Sequence, residues 1–188
     1  MATQWIFFLF VLLLGIQRLA ELRLSRRNER RILEQGGREH APGQFKVMRL
    51  LHIAWFLAML AEVFILRRPF NPTLALGAGL VFLIGQILRY AAIRTLGERW
   101  TVRVMTLPGT RPVNQGIYRY IRHPNYLGVI LEIGSAPLLH GAYLTSLSFT
   151  IANALLLAWR IHTEEAALEE QNQYEREFEG RPRFLPRL

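Results

Sequence analysis

The chain has no cysteine among its 188 residues. This absence excludes disulfides, thiolate catalysis and zinc sites built on cysteine, and it leaves the redox environment open. The sequence also lacks an internal repeat and a low-complexity linker, which predicts a single domain over residues 1–188. We expect no metal site, because four of the histidines lack a paired ligand spacing: His40, His52, His140 and His162.

Long uncharged runs alternate with blocks of charge. The chain is 51% apolar, yet its formal net charge is +9, which is typical of an integral membrane protein. A bilayer span needs roughly 20 mostly apolar residues, and five runs approach that length: residues 5–20, 47–66, 73–93, 126–140 and 143–159. The last two could instead form a tight helical hairpin. The pattern predicts an all-α membrane bundle of about five transmembrane helices.

Basic residues cluster in three segments outside these runs. Residues 23–49 carry eight Arg or Lys, residues 94–122 carry six, and residues 160–187 carry five. Because cytoplasmic segments of membrane proteins collect Lys and Arg, this predicts an N-terminus outside and a C-terminus in the cytosol. Arginines beside apolar spans favour the lipid bilayer over nucleic acid as a partner. The first run has no charged residue before it and no small-residue cleavage site after it, so we interpret it as a retained span.

The segments between the runs also carry structural signals. Residues 18–35 should continue the first helix until two glycines end it, and residues 67–72 should form a loop because two prolines interrupt them. Residues 96–105 alternate as an extended strand or a partly buried loop would. The last helix should leave the membrane and continue to about Gly180.

Four polar residues inside the runs are costly to bury without partners: Glu62, Gln86, Arg89 and Glu132. We therefore expect them to face the interior of the bundle. Arg89 and Glu132 lie at comparable depth, which predicts an ion pair between the third and fourth runs.

The segment from Gly116 to Gly128 places basic, aromatic and imidazole side chains against the start of an apolar run. Pro124 disfavours the α conformation at His123 and suits the first turn of a helix. A helix that begins here would direct its free N–H groups and the positive end of its dipole toward an anion.

This segment resembles the Arg-His-Pro-x-Tyr-x-Gly signature of the isoprenylcysteine carboxyl methyltransferase family and its phospholipid methyltransferase relatives. The fixed positions are Arg122, His123, Pro124, Tyr126 and Gly128. The Arg-x-x-x-Glu-Glu element after the last run resembles the second half of that signature. Patterns in residues 18–40 resemble the bacterial branch of the family, which extends the similarity to nearly the whole chain and implies a bacterial cytoplasmic membrane.

The resemblance implies a methyltransferase that uses S-adenosylmethionine, with a cofactor region formed by residues 100–126 and 160–188. Arg160, facing the acceptor, and Glu164 would be the catalytic residues. Residues around Arg103 and at 110–112 differ in type from those of the eukaryotic enzymes, so we expect mainly backbone contacts from them. Carried over by position, the cofactor-binding residues would be Arg103, Thr110, Arg111, Pro112, Val113, Tyr118, His123, Tyr126 and Glu164.

Simpler interpretations exist for the same residues. Arg160 and Glu164 could form an ordinary ion pair on the surface of a helix, because they are four positions apart. His123 could tie the loop to the helix that follows it. At least one of Tyr118, Tyr120 and Tyr126 could belong to the aromatic belt at the membrane interface.

The acceptor implied by the resemblance is lipophilic, either a prenylcysteine-like carboxylate or a phenol-like or pyrone-like hydroxyl. A carboxylate is already ionised, whereas a phenol with a pKa of about 10 needs a base such as Glu164. Three other functions stay open: a phospholipid or amine N-methyltransferase, an NADPH-dependent membrane reductase, and a non-catalytic lipid-binding protein. The sequence leaves the oligomeric state undetermined.

Overall fold

The structure, a computed structural model, describes residues 1–172 and 174–185. Residues 186–188, at the end of the predicted cofactor region, lie outside this range, as does residue 173. In chain order the elements are α1 (Ala2–Glu34), β1 (Arg38–His40), α2 (Pro42–Ile65), α3 (Pro72–Leu96), β2 (Val104–Thr106), α4 (Pro124–Ser135), α5 (Tyr143–Asn172) and α6 (Tyr174–Glu177). Short 3-10 turns cover Gly97–Arg99, Gly116–Arg119 and Pro137–His140. The predicted helical bundle is confirmed, with a two-stranded sheet added to it.

Four helices of the described chain are long and apolar enough to cross a membrane: α1, α2, α3 and α5. The predicted fourth span, residues 126–140, is not among them. Its helix α4 has 12 residues and gives way to the 3-10 turn at Pro137, because proline has no N–H to continue the helical bonding. The segment nevertheless reaches the far end of the bundle, where His140 Nε2 lies 3.1 Å from Thr3 Oγ1.

The helix boundaries follow the proline and glycine signals. The α1 helix continues beyond the first span, as predicted, and Gly36 ends it with a φ of +83°. Both α2 and α3 begin with a proline, which suits the first helical position. The side chain of Asn71 caps α3 by accepting a hydrogen bond of 3.1 Å from Leu74 N. Residues 66–71 between these helices form the predicted loop.

Glycines allow α3 and α4 to pack backbone to backbone. A Cβ atom at Gly128 would lie 2.7 Å from Gly85 O and 2.5 Å from Arg89 Cγ. A Cβ atom at Gly85 would lie 3.0 Å from Gly128 O. Small residues commonly permit such close helix contacts in membranes, and this contact explains why the signature position Gly128 has no side chain.

The two strands pair antiparallel, with Glu39 opposite Met105. The predicted extended segment, residues 96–105, is partly right, because α3 extends to Leu96 and strand β2 begins only at Val104. Val104 and Thr106 are buried and Met105 between them is partly exposed, as expected for a strand with one buried face.

The polar residues predicted to face the interior have partners there. Arg89 Nε lies 3.3 Å from Glu132 Oε1, which confirms the predicted pair between α3 and α4. Two residues of α1 complete this group, because Arg18 bonds to Glu132 and Glu21 accepts hydrogen bonds of 2.5 Å from both Arg18 and Arg89. We call these four residues the buried charge cluster. It joins α1 to α3 and α4.

The other two interior residues are also paired. Glu62 accepts hydrogen bonds from Thr145 N at 2.7 Å and Leu144 N at 3.1 Å, so its carboxylate caps the start of α5. Gln86 accepts a bond of 2.8 Å from Gln17 of α1. All four polar residues therefore connect helices, as the cost of burying them in a membrane requires.

Candidate functional site

A cavity of about 690 Å³ is bordered by α1, α2, α4, α5 and the segment from Leu96 to Val113. Small-molecule sites typically enclose roughly 300–1,000 Å³. All ten residues predicted for catalysis or cofactor binding line this one cavity: Arg103, Thr110, Arg111, Pro112, Val113, Tyr118, His123, Tyr126, Arg160 and Glu164.

Tyr126 connects the two residues predicted to be catalytic. Arg160 Nε donates a hydrogen bond of 2.8 Å to the Tyr126 hydroxyl, which in turn donates to Glu164 Oε2. Arg160 Nη2 donates to the carbonyl of Val102, just before β2. We call Arg160, Tyr126 and Glu164 the polar chain. Arg160 is only 3% exposed, so the alternative of an ordinary surface ion pair is wrong.

His123 pairs with Glu165, the neighbour of the predicted Glu164. Its Nε2 lies 3.0 Å from Glu165 Oε1, and Arg183 Nη2 donates to the other oxygen of that carboxylate at 2.6 Å. The His123 ring stacks on that of Tyr126 with centroids 5.3 Å apart. His123 therefore links the start of α4 to α5, and it also borders the cavity.

The remaining predicted residues lie along the segment between α3 and α4. Arg103 donates to both oxygens of Glu39 at 2.7 Å, and its guanidinium lies 4.6 Å from the centre of the Phe45 ring. The carbonyl of Arg111 accepts a hydrogen bond of 2.7 Å from Arg99, and the Thr110 hydroxyl donates to Leu107 O at 2.8 Å. These interactions hold the backbone of the segment at the cavity, and the expectation that it contacts the cofactor mainly through its backbone stays a prediction.

Aromatic residues form one wall of the cavity. Tyr118 packs with Tyr174 and Phe178 against Ala92 of α3, and all three rings border the cavity. Burial raises the pKa of Tyr118 well above its usual value, and the pKa of Tyr174 is raised for the same main reason. Both phenols therefore stay protonated at neutral pH.

The opposite end of the cavity is apolar and lies between α1 and α2. It is lined by Phe8, Leu12 and Ile16 of α1 and by Ile53 and Phe56 of α2. Leu12 and Ile16 are 49% and 54% exposed, so they face both the cavity and the surface that lipid would cover.

The structure adds a contact between Arg122 of the signature and the C-terminal part of the predicted cofactor region. Arg122 borders the cavity, and its guanidinium donates to the carbonyls of Arg181 and Phe178 at 2.8 and 3.1 Å. Arg122 belongs to the signature, which was a signal for its importance. The segment after α6 lies in the predicted cofactor region, but no signal in the sequence marked its carbonyls as the partners of Arg122.

These observations define a helical membrane protein with a cavity that is apolar between α1 and α2 and polar at its other end. The profile of the isoprenylcysteine carboxyl methyltransferase (ICMT) family matches residues 76–170. The chain belongs to this family, and membership indicates a membrane methyltransferase.

Similar proteins include both bacterial and eukaryotic members. The chain is 39% identical over 164 residues to the uncharacterized protein YpbQ of Bacillus subtilis (strain 168), covering 87% of this chain and 97% of that protein. It is 33% identical over 87 residues to a protein-S-isoprenylcysteine O-methyltransferase of Schizosaccharomyces pombe, covering 45% and 37% of the two chains.

A solved structure has the same fold. The eukaryotic intramembrane Ras methyltransferase ICMT superposes with a TM-score of 0.53 at 21% identity, over 71% of this chain and 48% of that one. At this identity the likeness shows the fold alone. The chain thus spans less than half the length of both eukaryotic proteins.

Proposed function

We propose that the protein transfers a methyl group from S-adenosylmethionine to an oxygen of a lipophilic acceptor that enters from the bilayer. The observation that carries this proposal is a continuous cavity, which joins an apolar end between α1 and α2 to the polar chain. A reaction between a polar cofactor and a lipid-like acceptor requires such a cavity, because the cofactor arrives from water and the acceptor from the bilayer, and both must meet at one site.

The residues at the polar end fit S-adenosylmethionine. Its ammonium and sulfonium suit the carboxylate of Glu164, and its carboxylate suits the backbone N–H groups at the start of α4. Its adenine suits the aromatic wall that contains Tyr118. The backbone of residues 103–113 would complete this end of the cavity. When bound, the cofactor supplies an activated methyl group, so the protein needs no covalent nucleophile.

Arg160 is the residue best placed to orient the acceptor. Two of its nitrogens are fixed on Tyr126 and Val102, while Nη1 has no hydrogen-bond partner within the described residues. A guanidinium held in this way can hold an oxyanion in one orientation. Because methyl transfer is an in-line displacement, such positioning should supply most of the rate.

An oxygen acceptor fits these charges better than an amine does, since the buried guanidinium of Arg160 disfavours a cation beside it. A carboxylate acceptor would need only orientation. A hydroxyl acceptor would also lose a proton, and the carboxylate of Glu164 is the group of the polar chain that can take it. The name of the fission yeast relative, an O-methyltransferase, supports the choice of oxygen.

Calorimetric binding to the detergent-solubilised protein tests the cofactor directly. We expect S-adenosylhomocysteine, the product form of the cofactor, to bind and NADPH not to bind. Binding of NADPH alone would overturn the proposal in favour of a membrane reductase, and binding of neither would support a non-catalytic lipid-binding protein.

We further propose that the polar end faces the cytosol and that the N-terminus lies outside. The three basic segments, residues 23–49, 94–122 and 160–187, support this orientation. Reporters fused after Leu188 and within residues 30–39 should both report cytosol, and a reporter near Asn71 should not. A C-terminus outside the cytosol would contradict the orientation.

A further inference from the structure

The C-terminal segment is attached to the signature segment mainly through its backbone carbonyls. Arg122 N donates to Pro182 O and His123 N donates to Arg183 O, both at 3.0 Å. The Arg122 guanidinium bonds two further carbonyls, those of Phe178 and Arg181. Four carbonyls of one short segment are thus satisfied by two consecutive residues of the signature.

Side chains of the same segment bond back to the site. Arg181 Nη1 donates to Tyr118 O at 3.1 Å. Arg183 donates to both oxygens of Glu165, the carboxylate that also pairs with His123. We call residues 174–185 the strap.

The strap contributes part of the cavity wall itself. Tyr174 and Phe178 are 4% and 1% exposed and border the cavity at its polar end. Phe184 packs against the apolar cluster that contains Tyr126. If the strap undocked, the aromatic wall of the polar end would lose the rings of Tyr174 and Phe178 and this end would open to solvent.

We propose that Arg122 is a positioning residue: it docks the strap, and the docked strap completes the cofactor end of the cavity, so that docking and cofactor binding stabilise each other. This inference rests on the proposed function for the identity of the ligand. The reciprocity is a thermodynamic requirement, because a ligand that contacts only the docked form shifts the chain toward that form. Arg122 acts here through carbonyls of the strap and not through the acceptor.

Limited trypsin digestion followed by mass spectrometry tests the coupling. The side chains of Arg176 and Arg183 are exposed, but proteases cut mainly the locally opened chain. We therefore expect cleavage after both residues to report departure of the strap, and saturating S-adenosylhomocysteine should slow it in the unmodified protein. The Arg122→Ala variant should be cut faster there without ligand, and its affinity for S-adenosylhomocysteine should fall roughly ten- to a hundredfold, since two bonds from a charged donor are lost.

Arg122→Lys separates positioning from charge. Lysine keeps the positive charge but cannot hold two carbonyls in the planar geometry of a guanidinium, so we expect cleavage and affinity between those of the unmodified protein and Arg122→Ala. Arg119→Ala is the matched control, because Arg119 is exposed in the same segment and should leave both measurements unchanged.

The outcomes distinguish this inference from the proposed function. If S-adenosylhomocysteine binds but leaves cleavage of the unmodified protein unchanged, the coupling is wrong whether or not the variants fold. Wild-type affinity and cleavage in Arg122→Ala would also overturn it. If the unmodified protein binds no S-adenosylhomocysteine, the proposed function fails, and faster cleavage of Arg122→Ala would still support docking by Arg122.

Discussion

The bundle contains two buried groups of polar residues that differ in how their charges are paired: the buried charge cluster and the polar chain. In the cluster, two carboxylates face two guanidiniums, and the residues come from three helices. In the polar chain, a tyrosine hydroxyl separates one guanidinium from one carboxylate. Three members of the cluster, Arg18, Glu21 and Arg89, also border the cavity, but the charges of the cluster are balanced by one another. In the polar chain, by contrast, Arg160 keeps one nitrogen without a hydrogen-bond partner within the described residues. We therefore expect the cluster to serve mainly stability and the polar chain to serve mainly binding.

Removing one member of the cluster should give the largest effect on stability. Glu132→Ala leaves Arg18 and Arg89 with only Glu21, and breaking a buried pair in this way costs about 3–5 kcal/mol. Thermal unfolding in detergent should show the loss. The double variant Arg89→Leu with Glu132→Leu leaves the balanced pair of Arg18 and Glu21, so it should lose less than Glu132→Leu alone. An equal loss would contradict a role for charge balance.

Arg160→Lys should lower turnover, whereas the loss of a cluster residue should lower stability. The variant keeps the charge but loses the planar fork that holds Tyr126 and Val102 in place. Misplacing the acceptor by about 1 Å can lower the rate by on the order of a hundredfold. We expect turnover to fall by that amount with near-normal affinity for S-adenosylhomocysteine. A variant with full turnover, or one that no longer binds the cofactor, would show that Arg160 has another role.

Glu164→Ala and His123→Ala should act on the cofactor. Removing the Glu164 carboxylate takes away one charged hydrogen-bonding partner, which costs roughly 1.5 to 3 kcal/mol, or about ten- to a hundredfold in affinity. His123→Ala should also weaken binding, because it removes the link between the start of α4 and Glu165 of α5. Titration calorimetry with S-adenosylhomocysteine measures this change, and Glu170→Ala, at an exposed position of α5, is the control. If both variants bind as tightly as the unmodified protein, the cofactor lies elsewhere.

The smallest effect is expected at the exposed ion pair between Arg31 and Glu98, where the Glu98 side chain is 72% exposed. Exposed pairs contribute about 0–1 kcal/mol, because water and salt screen them. Glu98→Gln should therefore change the unfolding free energy by less than about 0.5 kcal/mol and leave turnover unchanged. A loss as large as that of Glu132→Ala would remove the distinction between exposed and buried charges.

Local signals in the sequence predicted much of the fold and the outline of the site. Pro124 marks the start of α4 in the structure as its fixed φ requires. The spacing of Arg160 and Glu164 places both on one side of α5, and both border the cavity. Both predictions were possible because they depend only on residues within one helix turn or one short motif.

Pairings between distant segments could not be predicted in the same way. Glu164 and Glu165 point about 100° apart on their helix, and only the rotation of α5 decides which one meets His123. Arg18 and Glu21 lie at the boundary between the first apolar span and the amphipathic helix that follows it. The sequence therefore did not show whether their side chains face the interior of the bundle or the membrane interface. Tyr126 and Arg160 form a hydrogen bond although they are 34 positions apart in the sequence, and no local pattern predicts such a contact.

The ion pair within α1 has a consequence for biosynthesis. Arg18 and Glu132 are 114 positions apart, so at ribosomal rates of about 5–20 residues per second Arg18 exists for on the order of ten seconds before its partner on α4. During that interval Glu21, one turn away, is the nearest opposite charge. The first helix can therefore be inserted into the bilayer with these two charges already neutralised by each other, and the later helices take over the pairing as they arrive.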